Sequence, residues 1–310
     1  MKNYYVRVYS DSSGNRHVDG AWEFTEKTAT KLGVPKAEEG IGTYFGCLAG
    51  KDIFSSIEQL TDWPRSMFVK LELPPGHHHP RIARTTHGKL LLPYYPTNQS
   101  DSVEIATALG QLSSLRRELE DICQSVHPER TNLKTYGHRI RNLIILACTE
   151  VEAQWRGVLR ANHYERRGGG AFTTEDYVKL AKPMELKDYS VAFPHYPWLL
   201  PVKPFAGWTA GKATKSLSWY DSYNAIKHDR EGQFANAILE HAFSSLAACF
   251  VMLYAQYGHG FEKQYGQAET AFFVMLSRPI FDHSRRYHPP YGTAASGPES
   301  LPWKRSPLAL

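Results

Sequence analysis

The sequence predicts an α+β fold that is mostly helical, with an N-terminal β-containing region and a helical bundle after it. Aromatic and β-branched residues flank the turn-forming cluster DSSGN at residues 11–15, which is the pattern of a β-hairpin. Residues 103–126 repeat apolar side chains at steps of three and four, as an amphipathic helix does. Residues 235–257 are apolar on almost every helical face, which indicates a helix enclosed by others. The predicted domains are residues 1–98 (β-containing region of unknown role), 99–276 (helical bundle) and 277–310 (Pro/Gly/Ser-rich tail).

The N-terminal region is predicted to hold short strands and short helices. After the hairpin of residues 3–24, helices are expected at residues 25–32 and 52–60. Further strands are expected at residues 67–73 and 82–95. This alternation separates the region from the long helical periodicities that follow it.

The bundle is expected to continue with a second long helix, residues 136–164, whose centre is apolar. A short helix at residues 173–181 and an extended, proline-rich segment at 188–204 come next. One more helix is predicted at residues 269–276. The tail shows no periodicity, so it is expected to lie on the surface or to be disordered.

Composition favours a globular, cytoplasmic protein. The 310 residues are 42% hydrophobic and 13% aromatic, ample for a core, and the formal net charge of +5 permits contact with nucleic acid without requiring it. No apolar run is long enough to span a bilayer, and the N-terminus lacks the apolar stretch of a signal peptide. The four cysteines contain no C-x-x-C pair and are interpreted as reduced core residues.

Three short motifs in the sequence resemble ligand-binding motifs but favour a structural interpretation. Three successive histidines at residues 77–79 could bind a metal, but neighbours in a Pro-flanked loop do not point at one centre, so an exposed loop is favoured. The glycines of residues 168–170 follow a helix and indicate a flexible connection rather than a phosphate cradle. The segment GWTAGKAT at residues 207–214 has the wrong glycine spacing for a phosphate loop, and Lys212 precedes Ala213.

The chemically richest stretch is residues 218–230, SWYDSYNAIKHDR, directly before the buried helix. On a helix, side chains three and four apart lie on one face, which brings together Asn224, Lys227 and His228. Histidine transfers protons near neutral pH, and lysine and arginine neutralise phosphate, so the pattern suits an anionic substrate. The alternative is structural: aromatic core anchors, a capping asparagine and a solvated charged face. The same helical face carries Tyr220, with Tyr223 and Arg230 at its edges.

This stretch, W-Y-x-x-Y-N-A-I-K-H-D-R before a long apolar helix, resembles the motif helix of the HEPN superfamily, helical bundles of bacterial defence, toxin and RNA-processing systems. Family ribonucleases carry an Arg, often a polar residue after it, and then a His. Asn224 and His228 match that pattern, whereas Tyr223 stands where the Arg is expected. The resemblance covers residues 136–258 and implies a HEPN-like antiparallel bundle.

The resemblance implies a metal-independent endoribonuclease that directs a ribose 2′-hydroxyl at the adjacent phosphate, in a toxin or antiphage defence setting. The implied partners are RNA, a second copy of the chain in a homodimer, and an antitoxin or regulatory protein; no metal or cofactor is required, and no membrane. Two alternatives remain: a non-catalytic HEPN-like module that binds a protein, nucleotide or RNA, and an enzyme whose chemistry lies in residues 1–98. The implied roles are His228, Asn224 and Arg230 as catalytic residues, and Lys227, Tyr223 and Tyr220 as substrate-binding residues.

Two glutamates of the second long helix are candidate supporting residues. Glu150 and Glu152 directly follow its apolar centre. The resemblance implies that this helix packs on the motif helix, so either carboxylate could orient Arg230 or His228. The alternative, that both are ordinary solvated charges, is equally compatible with the sequence.

Overall fold

The computed structural model describes residues 2–34, 42–84, 99–258, 271–289, 291–294, 297–300 and 302–310. These residues form a mixed α+β protein, which confirms the predicted fold class at that level. The chain divides into two compact units. The first, the strand unit, comprises Met1–His78 and Phe281–Ser306, and the second, the helical unit, comprises His79–Ile280 and Pro307–Leu310. The domain limits at residues 98 and 276 remain predictions.

A five-stranded antiparallel sheet with the order β4-β3-β2-β1-β5 organises the strand unit. Helix α1, Ile53–Thr61, begins at Asp52, whose carboxylate accepts the backbone N–H groups of Phe54 and Ser55. One buried cluster of aromatic rings, including Trp22 and Phe45, forms part of the core. The strands are β1 (Asn3–Ser10), β2 (Arg16–Phe24), β3 (Thr28–Lys31), β4 (Tyr44–Gly46) and β5 (Phe68–Lys70).

The predicted hairpin is confirmed, because β1 and β2 pair antiparallel from Asn3 opposite Phe24 to Ser10 opposite Arg16, with one irregularity between Val6 and Val8. In its turn the Asp11 carboxylate accepts the backbone N–H groups of Ser13 and Asn15, and Gly14 takes a positive φ of 79°. The helix predicted at residues 25–32 is wrong. The Thr25 hydroxyl accepts the Thr28 N–H in a turn, and β3 then pairs with β2, so β-branched threonines fill a sheet position that helix propensity alone does not reveal.

The chain after residue 281 contributes short strands to the strand unit. Strand β11 (Lys304–Arg305) pairs in parallel with β6 (His77–His78). His77 Nδ1 lies 2.8 Å from Ser306 Oγ, and the His78 ring meets those of Tyr287 and Trp303. The exposed-loop interpretation of the three histidines is therefore wrong, since His78 is only 2% exposed. Among the described residues, no group of three or more candidate ligands could hold a metal ion. The other strands here are β9 (Tyr291–Ala294) and β10 (Gly297–Ser300).

The helical unit is built around helix α7, Leu239–Tyr257, whose side chains from Ser245 to Tyr257 are all buried. The amphipathic helices predicted at residues 103–126 and 136–164 are present as α2 and α3, and both pack on α7, as does α5. In the described part of the chain, none of the helices is both long enough and apolar enough to cross a membrane. The remaining elements are α2 (Gln99–Ser125), α3 (His138–Ala161), α4 (Thr174–Tyr177), α5 (Ser218–His228), α6 (Arg230–Gln233), β7 (Ser190–Ala192) and β8 (Val274–Ser277).

The last helix predicted from the sequence, residues 269–276, is wrong for residues 274–276, whereas residues 271 and 272 are helical. Residues 274–277 form β8, which pairs antiparallel with β7 and alternates between exposed and half-buried positions. Short apolar runs fit either a helix or a strand, and here pairing with β7 makes this run a strand. Residues 259–270, like most of the strand candidate at residues 82–95, lie outside the described residues.

Candidate functional site

The candidate site lies on the exposed face of helix α5, and the opposite face of this helix is buried. Trp219 is buried and its indole Nε1–H donates to the Pro204 carbonyl at 2.8 Å. Tyr220, Tyr223 and Ile226 are also buried, which fixes the inner face of the helix against α3 and α7. The rotation set by these four side chains turns Lys227 and His228 outward.

His228 is the last residue of α5 and is exposed. Among the described residues, none forms a hydrogen bond, an ion pair or a ring contact with its imidazole. The next residue, Asp229, ends α5 with its N–H bonded to the Ala225 carbonyl and begins α6 with its carboxylate accepting the Gly232 N–H at 2.8 Å. The ring therefore lies on a sharply defined corner of the chain, open to a ligand.

Two cations, Lys227 and Arg230, are close to His228 in sequence, and they differ in the contacts that their side chains make. Lys227 Nζ donates to the Tyr223 hydroxyl at 2.9 Å, and this bond is the main reason why the pKa of Lys227 is raised. Arg230 is exposed and makes no such contact with the described residues. Asn224 is half-buried, and its amide donates to the Tyr220 carbonyl at 3.0 Å. Arg230 is thus the motif cation best able to reach a substrate.

Tyr220 and Glu152 form a bond between α5 and α3. The Tyr220 hydroxyl donates to Glu152 Oε1 at 2.7 Å, and the Tyr220 and Tyr223 rings lie 5.4 Å apart. Burial, followed by the bond to Glu152, raises the pKa of Tyr220 strongly. Glu152 is therefore committed to a tyrosine in this structure, and not to Arg230 or His228.

Glu150 belongs to a separate buried network. The Glu150 carboxylate accepts a hydrogen bond from the side-chain amide of Gln154 at 3.0 Å. The side-chain oxygen of Gln154 accepts one from the Gln256 amide, and the side-chain oxygen of Gln256 accepts one from Arg81 Nε–H at 2.8 Å. Burial raises the pKa of Glu150, and the charge of Arg81 opposes that effect. This network ties α3 to α7 and leaves the motif helix aside.

Arg141 on α3 is a site residue that the sequence reasoning missed. Its Nη2–H donates to the Ile226 carbonyl at 3.2 Å, in the last turn of α5, where helix carbonyls lack partners within the helix. Its Nε is buried and has no hydrogen-bond partner among the described residues. The basic pair in H-R-I-R, residues 138–141, was the available signal. Arg141 therefore brings a cation from α3 to the last turn of α5, where it bonds the carbonyl of the residue two positions before His228.

Comparison of the chain with protein-family models, curated proteins and solved structures finds no significant match. The resemblance to the HEPN superfamily therefore rests on the residues of the motif helix.

Proposed function

We propose that the protein is a HEPN-like, metal-independent endoribonuclease whose helical unit contains the active site. The observation that carries the proposal is the His228 imidazole, exposed at the end of α5 and unbonded among the described residues. A buried ring with both nitrogens engaged could not exchange protons with a substrate. Arg230, Lys227 and Arg141 supply the positive charge that an RNA phosphate needs.

The proposed reaction uses the ribose as its own nucleophile. His228 accepts the proton of the 2′-hydroxyl, O2′ forms a bond to the adjacent phosphorus, and the bond from phosphorus to O5′ breaks. The products are a 2′,3′-cyclic phosphate and a 5′-hydroxyl, which takes a proton from a second acid. The arginines stabilise the extra negative charge of the transition state. A homodimer would provide the second acid as His228 of the other copy.

The identity of the phosphate-binding cation follows from the bonds of α5. Tyr223 occupies the position of the family's arginine, is buried, and holds Lys227. We therefore assign phosphate binding first to Arg230, with Arg141 supporting it from α3. The Asn224 amide bonds the Tyr220 carbonyl four residues earlier in α5, so in this proposal Asn224 supports the helix that carries His228.

His228→Ala is expected to lower RNA cleavage about 100-fold or more, because general acid–base catalysis contributes at least that much. The measurement is cleavage of labelled single-stranded RNA in EDTA. His195→Ala is the matched control, since the exposed His195 side chain lies near Glu120 rather than on α5. Equal cleavage by wild type and His228→Ala, or cleavage that EDTA abolishes, would refute the proposal. Growth inhibition on expression, relieved by His228→Ala, would support the toxin or antiphage setting.

A second candidate function is a non-catalytic RNA-binding or protein-binding module. The specific observation in its favour is that Lys227 bonds Tyr223 and Tyr220 bonds Glu152, so these site residues form a structural network. Under this reading the purified protein binds its ligand but leaves RNA intact in every buffer. The cleavage measurement above separates the two functions.

A further inference from the structure

Three aromatic rings cluster where α3 begins and the chain between α6 and α7 passes over it. The His138 and Phe234 ring centroids are 4.8 Å apart, and those of Tyr136 and Phe234 are 5.8 Å apart at 88°. Tyr136 is 52% exposed, His138 is exposed and Phe234 is half-buried. We call these three residues the ring platform. Aromatic side chains left this open offer π-faces to a ligand.

Backbone bonds hold the ring platform in place. Tyr136 forms an antiparallel bridge with Ile238, and the Leu239 N–H donates to the Thr135 carbonyl at 2.9 Å. The Ser222 hydroxyl on α5 donates to the Asn236 carbonyl at 2.6 Å. The rings are therefore positioned before any ligand arrives, and their segment is tied to the motif helix.

The ring platform lies at the same end of the helical unit as His228. His138 and Arg141 are three residues apart on α3 and share a face of that helix. Arg141 reaches the Ile226 carbonyl at 3.2 Å, two residues before His228. Phe234 follows His228 by six residues, through the single turn of α6.

The charged residues near the ring platform include ion pairs, which favours a ligand that stacks on the rings over one held by attraction to phosphate alone. Lys134 pairs with Glu240 at 2.6 Å, and Arg139 pairs with Glu118 at 2.8 Å. Each of these ion pairs places a carboxylate beside a cation that neighbours the platform residues in sequence, and Glu231 is exposed beside Arg230. Arg141, Arg230 and the Tyr223-bonded Lys227 provide the cations for phosphate contacts, and the rings add stacking with the bases to the affinity.

We infer that the ring platform binds the unpaired bases of single-stranded RNA next to the phosphate presented to His228. The inference rests on the proposed function and names its substrate class. Stacking on tyrosine, histidine and phenylalanine tolerates every base, because each base has a π-face. Paired bases of a duplex are closed to such contacts, so single strands are selected.

The test measures binding of a labelled 2′-O-methyl RNA of about 12 nucleotides. This RNA lacks the free 2′-hydroxyl, so binding is read without cleavage. Tyr136→Ala and Phe234→Ala are each expected to weaken binding about tenfold, whereas Tyr136→Phe keeps it. Tyr44→Ala is the matched control, because Tyr44 is 49% exposed and lies on β4 of the strand unit. Phe234→Leu retains apolar packing and guards against a folding defect.

A base-free ribose-phosphate chain of equal length completes the design. The inference requires that wild type bind the intact RNA about tenfold more tightly than this chain. Equal affinity for the two, full affinity in both alanine variants, preference for a duplex, or no RNA binding at all would overturn it. If the ring variants weaken binding but His228→Ala leaves cleavage unchanged, the platform stands and the proposed catalysis fails.

Discussion

Trp155→Ala is expected to lower the free energy of unfolding of the helical unit by about 3 to 5 kcal/mol, the range found when large buried aromatic residues are truncated. Trp155 on α3 is fully buried, and its ring stacks with that of Trp208 at 4.7 Å and lies 5.4 Å from that of Tyr220. It also lies 6.4 Å from the Trp219 ring. The same substitution should loosen α5, because two of the residues that anchor this helix rest on the indole.

Trp155→Phe provides the comparison that tests this reason. The indole Nε1–H is buried with no hydrogen-bond partner among the described residues, so phenylalanine removes an unsatisfied donor as well as part of the ring. We expect a loss of about 1 kcal/mol, well below that of alanine, because the two effects oppose each other. Guanidinium denaturation followed by circular dichroism at 222 nm measures both. Equal losses in the two variants would contradict this explanation, because the ring that phenylalanine retains would then add nothing to the packing.

The long helices could be predicted because their signal is local. Apolar residues at steps of three and four mark α2 and α3 without reference to the rest of the chain, and α7 is apolar all round because helices enclose it. The strands β3 and β8 were not predicted because pairing with another strand, and not their own composition, makes them strands. The partner of β3 is the neighbouring β2, whereas that of β8 is the distant β7. The partner of β6 lies more than 200 residues further along the chain.

The candidate site shows the same division between local and distant information. Helical spacing placed Asn224, Lys227 and His228 together, but it could not say that Tyr220 and Tyr223 turn into the core while His228 turns outward. That orientation depends on which face packs against α3 and α7. Arg141 was missed since it comes from another helix, 85 residues before the carbonyl it bonds.

Acid is expected to destabilise the strand unit by up to about 3 kcal/mol between pH 6.5 and 4, through His288. Burial, together with the charges of His283 and Arg286, lowers the pKa of His288 to about 4, and a hydrogen bond with the His283 backbone only partly opposes this. Its Nε2 is buried and has no hydrogen-bond partner among the described residues. A proton on that nitrogen would therefore have no acceptor.

The sign follows from where the proton binds. Above about pH 6.5 His288 is neutral in both states and contributes no pH dependence. As the pH falls below that value, His288 binds a proton in the unfolded chain but stays neutral in the native state. The free energy of unfolding therefore falls until the native ring also titrates near pH 4. His77 and His283, whose pKa values burial also lowers, act in the same direction. Hydrogen bonds lower the pKa values of Asp11 and Asp52, so the stability that these carboxylates contribute is lost mainly at the acid end of this window and below it.

Hydrogen exchange at the amides of β1 and β2, corrected for the intrinsic pH dependence of exchange, reports the stability of the strand unit at pH 7 and pH 4.5. His288→Leu should remove most of the loss, because leucine carries no proton and the bond from the Gly76 N–H to the residue 288 carbonyl is retained. The remaining slope belongs to His77 and His283. His195→Leu, in the helical unit, should behave as wild type does. An equal loss of protection in wild type and His288→Leu would place the acid sensitivity elsewhere, and the buried Nε2 would then have to be protonated in the native state at little energetic cost.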